Sequence, residues 1–194
     1  MSDREDRAEA DELAGALERL SRLLRAREHD RGLNPAQWEA LRYVSRANRF
    51  SNSPGALSRY LGATKGTISQ TVMALVRKGL IVKSERSGER RSVALTLTAA
   101  GEALLADDPW IRLARAAAGL GGKTRRRAAR ALRELLAGEL AAGGHASFGT
   151  CRDCRFFREK GRIGDVPGPH LCMAFEEGLS GSDTERLCVA HAAG

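Results

Sequence analysis

At Gly79 the hydrophobic period of the chain changes from 3.6 to 2, and that switch limits the fold more than any other feature. Before it, Ile68, Val72, Leu75 and Val76 fall at i, i+4, i+7 and i+8. They form one face of a helix that Thr64 can cap and that Gly79 can close from the left-handed position glycine favours. After it, Leu80 and Val82, then Val93, Leu95 and Leu97, alternate with other residues around a Ser87-Gly88 turn, the pattern of a hairpin. Upstream, Ser53-Pro54 opens a short helix carrying Ala56, Leu57 and Tyr60-Leu61, and Gly62 breaks it. Two short helices joined by a glycine turn and followed directly by a hairpin predict a helix-turn-helix with a wing.

Helices flank this unit. Leu13, Leu17, Leu20 and Leu24 predict a long amphipathic helix over 5–28, stopping near Gly32. Asn34 and Pro35 then cap and start a second helix through Trp38, Leu41 and Val44. Thr98 caps another through Leu104-Leu105, Pro109 interrupts or restarts it, and Trp110, Ile111 and Leu113 continue the pattern. A last long helix begins near Thr124 with Ala128, Leu132, Leu135, Leu136 and Leu140 on one face, and Gly143-Gly144 ends it. Trp38 and Trp110 are expected in the core, and His29 at the surface. The expected architecture is mainly α with a small β-hairpin wing. It is divided into a domain at 1–144 and a cysteine-rich module at 145–194, within one chain of 194 residues.

The net charge of +8 favours a polyanionic partner. The excess is localised, because residues 51–98 carry 8 basic and 2 acidic side chains. No apolar run is long enough to span a bilayer, and the first residues lack a signal-peptide layout, so the expectation is a cytoplasmic protein without a membrane partner.

The order of these pieces, with Thr67-Ile68-Ser69-Gln70, Gly79-Leu80-Ile81, Glu89-Arg90-Arg91 and Leu95-Thr96-Leu97-Thr98-Ala99-Ala100-Gly101, resembles the MarR family of winged-helix transcriptional regulators. The resemblance covers roughly residues 5–142, and Glu89 stands where the family's wing usually has Asp. It implies a homodimer built from the first and last long helices, bound to double-stranded DNA. It also implies that a small-molecule effector or thiol oxidation changes the spacing of the two reading heads.

In such a fold the second helix of the helix-turn-helix enters the major groove. Lys65, Thr67, Ser69, Gln70 and Thr71 are the residues expected to meet DNA there. Gln70 can pair with adenine through two hydrogen bonds, and Lys65 suits a phosphate. Arg90 and Arg91 at the wing tip suit the minor groove, with an ion pair between Arg91 and Glu89 as the alternative. Gly66 lowers helix stability by about 0.5–1 kcal/mol relative to alanine but leaves room for close approach to a duplex.

All four cysteines lie in the last 50 residues. Cys151 and Cys154 form C-x2-C, with Cys172 and Cys188 further on, a spacing suited to four thiolate ligands. Zinc is the first assignment, with an iron-sulfur cluster or a pair of reactive thiols as alternatives. His170 and His191 stand close enough in sequence to Cys172 and Cys188 for either to replace a thiolate. A bound group would supply folding energy that the tail's few apolar residues lack.

The sequence therefore reads as a non-enzymatic, sequence-specific transcriptional regulator, a repressor acting as a homodimer on a pseudo-palindromic operator. Its metal site would be structural or would sense metal or redox state. The alternatives are a thiol redox protein using Cys151 and Cys154, for which the surrounding βαβ context is missing, and a metal-dependent protein-interaction adaptor.

Overall fold

The computed structural model describes residues 3–28, 32–85, 93–161 and 168–193. The body runs α1 (Asp3–Ala26), α2 (Pro35–Arg46), α3 (Pro54–Leu61), α4 (Lys65–Arg77), β1 (Ile81–Glu85), β2 (Val93–Leu97), α5 (Ala99–Ala106), α6 (Pro109–Ala118) and α7 (Gly122–Ala142). The tail adds a 3-10 turn (Cys151–Asp153), β3 (Phe157–Glu159), β4 (His170–Cys172), β5 (Glu177–Leu179) and a short α8 (Gly181–Thr184). The mainly α fold with a hairpin wing is the one read from the sequence.

The helix starts follow from side-chain caps. Asn34 Oδ1 accepts from the Gln37 N–H at 2.9 Å, Ser53 Oγ from Ala56 at 3.2 Å, Thr64 Oγ1 from Thr67 at 3.2 Å and Thr98 Oγ1 from Gly101 at 3.1 Å. Each such cap is worth about 1 kcal/mol. Asp108 caps α6 by accepting from Trp110 N–H at 3.0 Å, so Pro109 restarts the chain as a new helix. Beyond α4 the backbone turns at Gly79, φ +67°, and Leu80 N–H donates back to the Leu75 carbonyl at 3.0 Å.

β1 and β2 are antiparallel, with Ile81 opposite Leu97 and Glu85 opposite Val93. The segment between them, which holds Ser87-Gly88, Glu89, Arg90 and Arg91, lies outside the described residues, as does His29. The core of the body gathers Trp38, Leu41, Tyr43, Leu57, Ile68, Leu75, Ile81 and Leu95 where α2, α3, α4 and the wing strands meet. Trp110 is only half-buried, and its indole Nε1 donates to Glu28 Oε1 at 3.1 Å. Gly101 is required by close packing, because a methyl group there would collide with the Leu80 carbonyl oxygen.

The two long helices behave differently from the rest. On α1 only Leu24 is buried, while Leu13, Leu17, Leu20 and Leu23 are exposed. On α7 nothing is buried, and Leu132, Leu135 and Leu136 face outward. These are apolar stripes on helices that the chain's own core does not cover.

α7 stops at Gly143, and Gly144 takes φ +62°, as the glycine pair predicts. The chain then returns to the body. Phe148, Leu187 and Val189 pack against the main core, and Phe148 meets Tyr43 and Tyr60 edge-on at ring distances of 5.9 and 5.1 Å. The tail's three-stranded sheet, in the order β3-β4-β5, supports a second, smaller core of Cys151, Cys172 and Leu179 with Phe50, Phe156, Phe157 and Phe175 around it.

Candidate nucleic-acid interface and thiol pocket

The face of α4 that packs inward is set by Ile68, Val72 and Leu75, which leaves Lys65, Thr67, Ser69 and Gln70 exposed along the opposite side. The Thr64 and Thr67 hydroxyls lie 2.9 Å apart and form the start of that row. Thr71 departs from the sequence expectation. It is buried, and its Oγ1 donates to the Thr67 carbonyl at 3.0 Å, so it braces the helix from within and offers nothing outward. Gly66 is exposed, and a Cβ added there would meet only Thr64 Oγ1 at 3.8 Å, so nothing inside the protein demands glycine. Lys83 on β1 and Arg77 at the end of α4 add exposed positive charge beside the row. Arg90 and Arg91, the two remaining sequence candidates, fall outside the described residues.

The body also holds a charged clamp that sequence reasoning missed. Arg42 of α2 binds Asp108 through two hydrogen bonds of 2.7 Å and pairs with Glu28 at 2.7 Å. Burial works against the Arg42 charge, but the hydrogen bonds it donates to Asp108 and Glu28, with the attraction of the two carboxylates, outweigh it and hold the guanidinium pKa above its ordinary value. The guanidinium also lies over the rings of Trp38 and Trp110, 5.2 and 5.5 Å from their centroids. The clamp ties the end of α1 and the start of α6 to α2. In the sequence its members look like ordinary surface charges.

The thiols converge. Cys151, Cys154, Cys172 and Cys188 all line one small, apolar cavity closed by Phe156, Phe157 and Leu179. None is in a disulfide. Burial, with the other three thiols adding in the same direction, pushes the Cys151 thiol up to about 11. Among the described residues no group of three or more His, Cys, Asp or Glu side chains is arranged to hold a single metal ion. The four sulfurs thus surround a shared space without closing on one point.

The two histidines do not line that cavity. His170 Nδ1 accepts from Lys160 N–H at 3.2 Å, and its ring tilts against Phe157 at 5.3 Å. The His191 ring packs on Gly149, where even a methyl group would collide with it, and its buried Nδ1 has no hydrogen-bond partner among the described residues.

A helix-turn-helix whose second helix presents a polar row beside a two-stranded wing defines the winged-helix class of nucleic-acid-binding folds. Within that class, residues 31–92, from α2 to the wing, match the MarR family model. The fold is similar to that of a MarR transcriptional regulator from Methanosarcina mazei, at 22% identity and TM-score 0.53 over 68% of this chain and 99% of that one. It is also similar to a MarR family protein from Bacillus stearothermophilus, at 19% identity and TM-score 0.53 over 72% and 98%. No curated protein matches the chain significantly. No helix among the described residues is long and apolar enough to cross a membrane.

Proposed function

We propose that this protein is a sequence-specific DNA-binding transcriptional regulator that works as a homodimer. The observation that carries the reading is the exposed row Lys65, Thr67, Ser69 and Gln70 on α4, held outward by the buried face of the same helix and flanked by the wing. A lysine at the helix start suits a phosphate, and the amide and hydroxyls behind it suit base edges. The concentration of positive charge between 51 and 98 supplies attraction to the duplex.

The uncovered leucines of α1 and α7 support the dimer. Two copies laying these stripes together would bury them and place two α4 helices on successive turns of a pseudo-palindromic site. Repression is the regulatory sense of this reading, because a dimer seated on an operator excludes polymerase by occupancy alone. The thiol pocket is read as the site of a thiophilic metal group held by Cys151, Cys154, Cys172 and Cys188.

Selection of duplexes from a random pool on the purified full chain tests this. Enrichment of a two-fold-related sequence, bound with an affinity that falls steeply as salt rises, is the expected result. Equal retention of all duplexes would overturn it.

A further inference from the structure

The thiol pocket and the helix-turn-helix share one short turn. Residues 47–53 leave α2 and deliver the chain to Ser53, the N-cap of α3. Within that turn Asn48 and Ser51 are polar yet only 1% and 0% exposed. The tail helps bury them. Asn48 N–H donates to the Leu187 carbonyl at 2.9 Å, Leu187 N–H to the Arg46 carbonyl at 2.7 Å, and Val189 N–H to Ser51 Oγ at 2.8 Å. Cys188 sits between these two tail residues, its own N–H donating to the Gly149 carbonyl at 2.9 Å and its side chain lining the cavity. Against the small core of Cys151, Cys172 and Leu179, Phe50 stacks on Phe175, with ring centroids 4.3 Å apart and planes 8° from parallel. Arg49 donates to the Gly178 carbonyl, next to Leu179 of the cavity wall.

The other side of the turn faces the DNA-reading unit. Leu95 N–H of the wing donates to the Asn52 carbonyl at 2.7 Å, Asn52 Nδ2 donates to the Leu95 carbonyl at 3.2 Å, and Tyr43 OH donates to the Ser51 carbonyl at 2.7 Å. One heptapeptide thus hydrogen-bonds to the cysteine tail, to the wing and to α2, and it starts the first helix of the helix-turn-helix.

We propose that the four thiols hold an iron-sulfur cluster, and that its presence fixes the 47–53 turn and so the orientation of α3, α4 and the wing. Four sulfur donors select zinc or an iron-sulfur cluster over harder metals. A single tetrahedral zinc, with bonds near 2.3 Å, brings its sulfurs to within about 4 Å of each other. The thiols here instead ring an apolar cavity without any three closing on one ion. A cluster is a body of several atoms whose thiolates attach at different irons, and it fits such a ring. On loading from ferrous and ferric iron with sulfide, each S–H gives its proton to solvent as its S–Fe bond forms, and no electron is gained or lost. Without the cluster the tail keeps a core of three buried residues with aromatic neighbours, too little to order it firmly. Loss of tail order removes the partners of Arg46, Asn48 and Ser51 together.

The coupling to DNA rests on the function proposed above, whereas the cluster does not. The test uses the full chain purified without oxygen, treated in one arm with a mixture of ferrous and ferric iron and sulfide and in the other with zinc alone. Iron and acid-labile sulfide in equal amounts, with visible absorption that C154S abolishes, are expected. Amide exchange at 47–53 and 187–189 should be slower by about tenfold or more in the loaded protein than in the chelated one, with helical circular dichroism unchanged. Stoichiometric zinc with no retained sulfide in either arm would overturn the cluster. Identical exchange in loaded and chelated protein would overturn the coupling. A loaded cluster with slowed exchange in a protein that selects no duplex would leave the inference standing and remove the regulatory reading instead.

Discussion

Ser51 and Val189 are 138 residues apart in sequence and joined by a 2.8 Å hydrogen bond, in which the buried Ser51 hydroxyl accepts from the Val189 backbone N–H. In S51A that N–H keeps its burial and loses its acceptor. The cost of an unmade buried hydrogen bond is about 1–3 kcal/mol. Urea unfolding of S51A should show that loss, and amide exchange at 187–189 should accelerate while exchange in α7 stays constant. Unchanged exchange at Val189 would mean that the tail is held to the body by other contacts.

The Arg42 clamp makes a separate prediction. In R42A, Asp108 and Glu28 remain with side chains that are 4% and 3% exposed, two carboxylates without their shared cation. Removing one partner of such a buried pair costs about 3–5 kcal/mol, well above the effect of breaking a surface pair. R42A should therefore lower the unfolding midpoint strongly, whereas R130A, which loses only the exposed pair of Arg130 with Glu134, should change it little. Similar midpoints for the two variants would remove the clamp from the stability of the fold.

For the uncovered helices the expected outcome concerns assembly. L17E on α1 and L136E on α7 place charge on stripes that the monomer leaves exposed, so each variant should fold with the helicity of the parent. If those stripes meet in a dimer, burying an unpaired carboxylate there is prohibitive and the variants should elute as monomers by light scattering. A parent protein that is itself monomeric at working concentration would dispose of the dimer.

How much of this was readable beforehand depends on the distance over which each feature is decided. Asn34, Ser53, Thr64 and Thr98 cap helices through bonds to residues three positions away, and Gly79 turns the chain by its own backbone freedom, so local pattern sufficed. Thr71 failed because its hydroxyl chose the carbonyl of Thr67, an option that polarity alone does not reveal. The Asn48 to Asn52 stretch carries no periodic pattern that would single it out in the sequence. Its importance lies in partners near residue 188, and no periodicity carries that information. The four cysteines were recognisable as a set, but how far they stand from a common point belongs to tertiary geometry.

Gly66 offers a test in which stability and function should move in opposite directions. Its Cβ position is open, so G66A should raise stability by up to about 0.5–1 kcal/mol through the lower entropy of the unfolded chain. On a duplex the added methyl would stand between the start of α4 and the groove, and affinity should fall. A variant that is stabilised with unaltered binding would show that the backbone at 66 does not approach DNA.

Lys65 and Gln70 occupy the same exposed row but should fail in different ways. A lysine at a phosphate contributes through counterion release, which is independent of sequence. K65A should therefore weaken binding to all duplexes alike and flatten the dependence of affinity on salt by about one ion. An amide reading adenine discriminates by about 1–3 kcal/mol at a single base pair, so Q70A should lose preference at one position per half-site and keep the parent's salt slope. Titrations of both variants against the selected operator and its single-base substitutions separate the two roles. If Q70A weakened every sequence equally, Gln70 would be a phosphate contact and the base reading would have to come from Thr67 and Ser69.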